Sequence, residues 1–145
     1  MKILRLVAVV AGIGLVVAAC GGSGSTVDVS LFEWGVDPST DSLAAGEITF
    51  AATNDGGEPH ELVIVRDVAP GDLPVDEDGR VVEDDLPDGA FIGEIEEFEA
   101  GTTESATFDL EAGTYTLFCN IIEEEGGEVE SHYVNGMVTT IEITG

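Results

Sequence analysis

GTYTLFCNIIEEEGGEVESHYVNGMVTTIEITG, residues Gly113–Gly145, is the stretch on which the fold turns. Tyr115, Leu117 and Cys119 alternate with Thr116 and Phe118, which predicts a strand over residues 115–121 with a different environment on each face. Residues 137–144 make a second strand-like run that closes the chain. Cys119 therefore ends one strand, Met137 begins the next, and His132 lies in the acid-rich connection between them. A hairpin built this way carries a thiol, an imidazole and a thioether at one end.

Working outward, the same period recurs. Val27, Val29 and Leu31 alternate in residues 26–34, and Ile48 and Phe50 in residues 47–54. Pro59 delivers His60 into ELVIVR, where Leu62–Val65 is a continuous apolar run of strand length, the mark of a central strand. Residues 91–98 and 102–110 supply two more strands, the second with Ala106, Phe108 and Leu110 on one face. Turn signals separate these runs, at Asp37-Pro38, Ala45-Gly46, Asp55-Gly56-Gly57, Ala100-Gly101 and Glu111-Ala112-Gly113. Residues 67–89 carry Pro70, Pro74, Pro87 and many acids without a period, and read as a long solvated excursion with short turns. Strands at this spacing with almost no helical period predict an all-β chain, a Greek-key β-sandwich of about seven to eight strands.

Charge narrows the partners. Thirty acids face four Lys and Arg, for a formal charge of −26. Lys2 and Arg5 belong to an N-terminal leader, so the body would carry about −28 and only Arg66 and Arg80 as fixed cations. Nucleic acid and anionic membrane surfaces are excluded as natural partners; metal ions and cationic proteins fit. A high-salt habitat would account for the acidity equally well. The leader has a basic start, a fourteen-residue apolar run from Leu6 to Ala19, and small residues before Cys20. Val17-Ala18-Ala19-Cys20 resembles the lipobox of bacterial lipoproteins. It implies a signal peptide over 1–19, a lipidated Cys20 at the outer face of the cytoplasmic membrane, a tether over 20–26 and a domain over 27–145. Export places Cys119 in an oxidising compartment without a partner cysteine in its own domain, so it is buried, paired with another chain or bound to something.

The chain holds two His, two Cys and two Met. With Met1 in the leader and Cys20 at the lipid anchor, the soft and imidazole donors left are His60, Cys119, His132 and Met137, a set suited to copper. At this point the residues resemble a family. AGEITFAATNDGGEPHELVIV (Ala45–Val65), AGTYTLFCN (Ala112–Asn120) and HYVNGMVTTIEI (His132–Ile143) are similar to the cupredoxins, the group of plastocyanin and azurin. The resemblance implies a mononuclear type 1 copper site. His60 and His132 would be its imidazole ligands, Cys119 the thiolate and Met137 the axial ligand. It also implies one-electron transfer; the chain is expected to be a monomer, and its acidity points to a redox partner that bears a cationic docking face.

Two features depart from the familiar pattern. Twelve residues, Asn120–Ser131, separate Cys119 from His132 where relatives have a short loop, and five of them are Glu. This loop must bulge outward and return. Glu61 follows the first His where many relatives have Asn, so Asn54 or Asn120 must brace the ligand loop instead. Other functions fit less of the chain. A copper chaperone or buffer would use the same ligands without redox traffic, and a metal-free module would use only the acidic loops. A Cys–His hydrolase would leave His60 and Met137 unexplained. A dinuclear copper centre lacks its second cysteine, and a multicopper oxidase lacks the histidines, so an enzyme is not expected.

Overall fold

Strict alternation in two segments builds the first sheet. The computed structural model describes residues 24–145. In it β1 (Ser25–Phe32) buries Val27, Val29 and Leu31, and β4 (Gly46–Asn54) buries Ile48, Phe50, Ala52 and Asn54. The two run parallel, with Val27 opposite Phe50 and Leu31 opposite Asn54. A short β2 (Gly35–Pro38) flanks β1, and β7 (Thr103–Leu110) flanks β4, giving the order β2-β1-β4-β7.

The second sheet has the order β3-β11-β8-β5-β6, from β3 (Ser42–Ala44), β11 (Val138–Thr144), β8 (Gly113–Phe118), β5 (His60–Arg66) and β6 (Phe91–Phe98). Between the sheets, Leu31, Phe50, Leu62, Ile64, Tyr115, Leu117 and Ile141 make one apolar core that includes Cys119 and Met137. The inner faces of both sheets thus supply the free energy of assembly by removing apolar area from water. The predicted β-sandwich is the architecture observed.

The continuous apolar run of β5 has its explanation in a second apolar cluster. Leu62 and Ile64 face the main core, whereas Val63 and Val65 face outward and are covered by Val68, Leu73, Val81 and Ala90. The cover is the segment of residues 67–89, which carries two 3-10 turns, Pro70–Asp72 and Glu83–Asp85, and an isolated bridge from Val75 to Val81. The excursion predicted to be solvated is a lid over the outer face of the second sheet, and its acids line the lid's exterior.

Among the described residues there are eleven strands rather than seven to eight. The surplus consists of short pieces, β2, β3 and the hairpin of β9 (Ile122–Glu125) and β10 (Glu128–Ser131), too brief to show a period. Ser25 and Thr26, expected in the tether, are the first residues of β1, because the parallel ladder pairs them with Ile48 and Thr49. The signal peptide, the lipobox and Cys20 lie outside the described residues. Among the described residues no helix is long and apolar enough to cross a membrane.

Gly93 shows how closely the sheet edges meet. It pairs with Ile64, has φ +155°, and a Cβ there would lie 2.5 Å from Cε1 of Phe108 on β7. Gly93→Ala should therefore lower stability by about 1–3 kcal/mol through overpacking and backbone strain. Chemical denaturation followed by circular dichroism measures this; an unchanged midpoint would mean that Phe108 yields freely.

Candidate metal centre

At one end of the sandwich the chain brings together residues far apart in sequence. His60 is the first residue of β5, and Pro59 before it fixes an extended entry into the strand. Cys119 follows the last residue of β8, the central neighbour of β5. His132 opens α1 (His132–Asn135), a single turn capped by Ser131, whose Oγ accepts the Val134 N–H at 3.1 Å. Met137 lies between that turn and β11. All four residues have no solvent exposure.

The donor atoms converge. His60 Nδ1 and His132 Nδ1 are 3.2 Å apart, and Cys119 Sγ is 3.4 Å from His132 Nδ1. Together the sulfur and the two nitrogens lie within 4.8 Å of one another. Ligands held at about 2.0 Å (nitrogen) and about 2.3 Å (sulfur) from one ion in a near-trigonal plane would be spaced much like this. Met137 is tied to the other two loop residues through its backbone: its carbonyl accepts the Cys119 N–H at 3.1 Å, and its N–H donates to the His132 carbonyl at 3.0 Å. The structure thus brings all four sequence-predicted residues to one place, with a thiol and two imidazole nitrogens facing a common centre. The donor types and their spacing fit a soft or borderline transition-metal ion.

The twelve-residue insertion leaves this geometry undisturbed because it folds on itself. β9 and β10 pair antiparallel, Ile122 opposite Ser131, around the Gly126-Gly127 turn. At the base of the hairpin the His132 N–H donates to the Ile121 carbonyl at 3.0 Å. The chain leaves at Ile121 and re-enters at His132 in adjacent positions, so the insertion does not carry His132 away from Cys119.

Bracing comes from several sides. Asn54, buried at the end of β4, donates through Nδ2 to the Glu58 and Phe98 carbonyls and accepts the Gly56 N–H. It thereby holds the turn that leads to His60. Asn120 is held by the lid: its Oδ1 accepts the Val81 N–H at 2.7 Å, and its Nδ2 donates to the Val81 carbonyl at 3.0 Å. Its own N–H donates to Glu61 Oε1 at 2.9 Å. Glu61 thus ties the two ligand segments together, and its N–H also points at Cys119 Sγ, at 3.5 Å. Ser131 Oγ donates to the Gly79 carbonyl, and the Tyr133 hydroxyl donates to the Pro70 carbonyl, so the lid also clamps the segment that carries His132.

Three partners had no sequence signal. Glu33 accepts the Gly57 and Glu58 N–H groups, and its Oε1 lies 3.3 Å from His60 Nε2. A Cβ on Gly56 would sit 2.7 Å from His60 Nε2 and 2.4 Å from Glu33 Oε1, so only glycine covers that pair. Trp34 packs its ring edge-on against His132, centroids 5.3 Å apart. Glu58 Oε2 lies 3.7 Å from His132 Nε2. Nothing in the local pattern around residues 33, 34 and 58 distinguishes them from surface positions.

Burial sets the protonation. It lowers the pKa of His60, helped by the nearby His132, and lowers that of His132, although Glu123 and Glu130 pull the latter back. Both imidazoles are thus biased toward the neutral form that binds metals. Burial pushes the Cys119 thiol up to about 12, and burial likewise raises Glu61 to about 7.

Comparison with known proteins places the fold. No protein-family model and no curated protein matches the chain. Solved structures do. Reduced auracyanin from the photosynthetic bacterium Roseiflexus castenholzii superposes with a TM-score of 0.58 at 17% identity, covering 83% of this chain and 98% of that one. Auracyanin A, described as a "blue" copper protein from the green thermophilic photosynthetic bacterium Chloroflexus aurantiacus, gives 0.55 at 18%, covering 83% and 99%. An azurin from Methylomonas sp. strain J gives 0.51 at 21%, covering 84% and 98%. The chain has the cupredoxin fold, as the resemblance of its three motifs implied.

The raised thiol pKa has a measurable consequence. The unfolded chain would release the Cys119 proton near the ordinary thiol value of 9.0, whereas the folded metal-free chain holds it up to about 12. Stability from this group is therefore full below pH 9 and declines as pH rises toward 12. Denaturation midpoints should show a loss of about 1 kcal/mol between about pH 9 and about pH 10, and Cys119→Ser should remove that part of the slope. An unchanged slope in the variant would place the effect elsewhere.

Proposed function

We propose that the chain is a one-electron carrier with one type 1 copper ion held by His60, Cys119, His132 and Met137. The observation that carries this reading is the buried meeting of the His60 and His132 Nδ1 atoms with Cys119 Sγ, within 4.8 Å of one another. Copper, when bound, supplies a one-electron couple between its two common oxidation states.

The residues do the rest. His60 and His132 present neutral Nδ1 donors, and Cys119 gives up its proton to become the thiolate ligand. Met137, tied by two backbone hydrogen bonds to the other loop residues, offers its thioether from a fixed backbone position. Each ligand segment is bound to something rigid: His60 to Asn54 and the β5 ladder, Cys119 to the Met137 backbone, His132 to the hairpin base and the lid. Such bracing limits how far ligands can move when charge changes, which is what fast electron exchange requires. Trp34 and the core exclude water from the donors. Full burial also argues for a carrier over a buffer, since a buffer must hand its ion to a partner and needs an accessible ligand.

The surroundings suggest the traffic. Glu123 and Glu130 act electrostatically on His132, and carboxylates so placed favour the more positive state of a bound ion and steer a cationic redox partner. With the leader and lipobox, this supports a monomeric carrier anchored by a lipidated Cys20 at the outer face of the cytoplasmic membrane.

Adding Cu(II) to the chain from about Ser25 onward should produce an intense thiolate-to-metal absorption near about 600 nm. Cys119→Ser should abolish it while circular dichroism stays unchanged, and Met137→Leu should keep it with a shifted maximum because the Met137 thioether would be the weakest of the four ligands. A Cys119→Ser variant that kept the band would overturn the ligand assignment.

A further inference from the structure

We propose that the outer nitrogen of His132, together with Glu58 and Glu123, forms a second metal site for a zinc-class divalent cation, so that one imidazole faces two ions. The proposal rests on the copper reading only for the identity of the inner ion. Its basis is a donor set distinct from the inner one. A ring nitrogen of His132 and one carboxylate oxygen each from Glu58 and Glu123 lie within 4.8 Å of one another, and Nε2 is the nitrogen that faces Glu58, at 3.7 Å.

His132 itself supplies the observation that points to a ligand. The residue has no solvent exposure, and its Nε2 has no hydrogen-bond partner among the described residues. Glu58 Oε2, at 3.7 Å, is too far to accept a hydrogen bond from it. A buried, unsatisfied imidazole nitrogen is costly, and it is aimed at a carboxylate pair. His60 Nε2 likewise lacks a hydrogen bond, but the carboxylate beside it is Glu33, at 3.3 Å, and among the described residues no carboxylate pair gathers around it as Glu58 and Glu123 gather around His132.

Charge points the same way. Glu123 and Glu130 are direct register partners in the hairpin, where like charges repel. The described chain offers only Arg66 and Arg80 as fixed cations, and Arg66 is taken by Asp67 and Glu111. A divalent ion would offset this repulsion and satisfy the buried nitrogen together.

Imidazole nitrogen with two carboxylates is a donor set zinc accepts, with a fourth position left for water. Bonds of about 2.0–2.2 Å place neighbouring ligand atoms about 3.3 Å apart. The half-buried Glu58 and Glu123 side chains therefore need to close by no more than about 1.5 Å. When Nδ1 holds the inner ion, the ring's remaining proton is on Nε2. Zinc takes its place and the proton goes to solvent, one per ion bound, with no change in oxidation state. A cation there withdraws electron density from His132 and favours the reduced inner ion, so this site would set the carrier's potential according to the supply of divalent ions.

The test titrates the copper-loaded chain, freed of other metals, with Zn2+. One zinc per copper should survive dialysis and shift the blue band. Glu123→Gln should start with the same blue spectrum and bind zinc at least about tenfold more weakly. Absence of retained zinc, equal affinity in Glu123→Gln, or retention without a spectral shift each overturns the proposal. A missing blue band before any zinc is added marks failure of the copper reading instead. In that case the Cys119→Ser chain, its inner thiolate gone, is titrated with Zn2+: zinc lost on adding Glu123→Gln supports the outer site, and zinc kept overturns it.

Discussion

Two imidazole nitrogens and a thiol sulfur are held within a few ångströms of each other, away from water, at the end of a β-sandwich. In that position none of them gains solvation, and the sulfur keeps its proton far above the ordinary thiol range. Folding alone gives little reason to gather such groups, since buried polar atoms cost free energy unless satisfied. The arrangement becomes favourable when a cation replaces the thiol proton and accepts both nitrogens. The segments that carry the donors are accordingly braced from several sides, by Asn54, Asn120, Glu61 and Ser131.

That bracing is divided between two layers. The sandwich fixes His60 and Cys119 by adjacency: β5 and β8 are hydrogen-bonded neighbours, so their ends meet. The lid of residues 67–89 fixes the connection that carries His132, through Asn120, Ser131 and Tyr133. Its apolar residues bury the outer face of β5, so the same segment contributes core area and site rigidity. Glu61 joins the layers; burial raises its pKa to about 7, aided by the nearby Glu94 and Glu83 and opposed by the Asn120 N–H and Arg80.

The acidic hairpin adds charge near the site without moving the ligands. A two-stranded ribbon closed at its base is an insertion that leaves its endpoints together, so length costs little in ligand geometry. What it changes is the electrostatic field at His132, where Glu123 and Glu130 act from one strand pair and Glu33 and Glu97 from elsewhere. The surroundings of the two histidines are thereby unequal: His60 meets a carboxylate already held by the backbone, and His132 meets several that are not all so held.

Much was legible in the sequence. Alternation in residues 26–34, 47–54 and 102–110 determined strands with one buried face, because side chains on a strand point to opposite sides by turns. The scarcity of His, Cys and Met determined the candidate donors, and three motifs implied the cupredoxin fold. Asn54 and Asn120 were legible as bracing candidates because Glu61 stands after the first His where the family pattern has Asn. The tertiary structure decided what depends on distance across the chain. It folded the Asn120–Ser131 insertion into a hairpin, turned residues 67–89 from a solvated excursion into a lid, and set Glu33, Trp34 and Glu58 against the histidines. Local pattern records which face a residue prefers, whereas a contact between residues 33 and 60 or 58 and 132 arises only when separate strands pack, and that packing leaves no period to read.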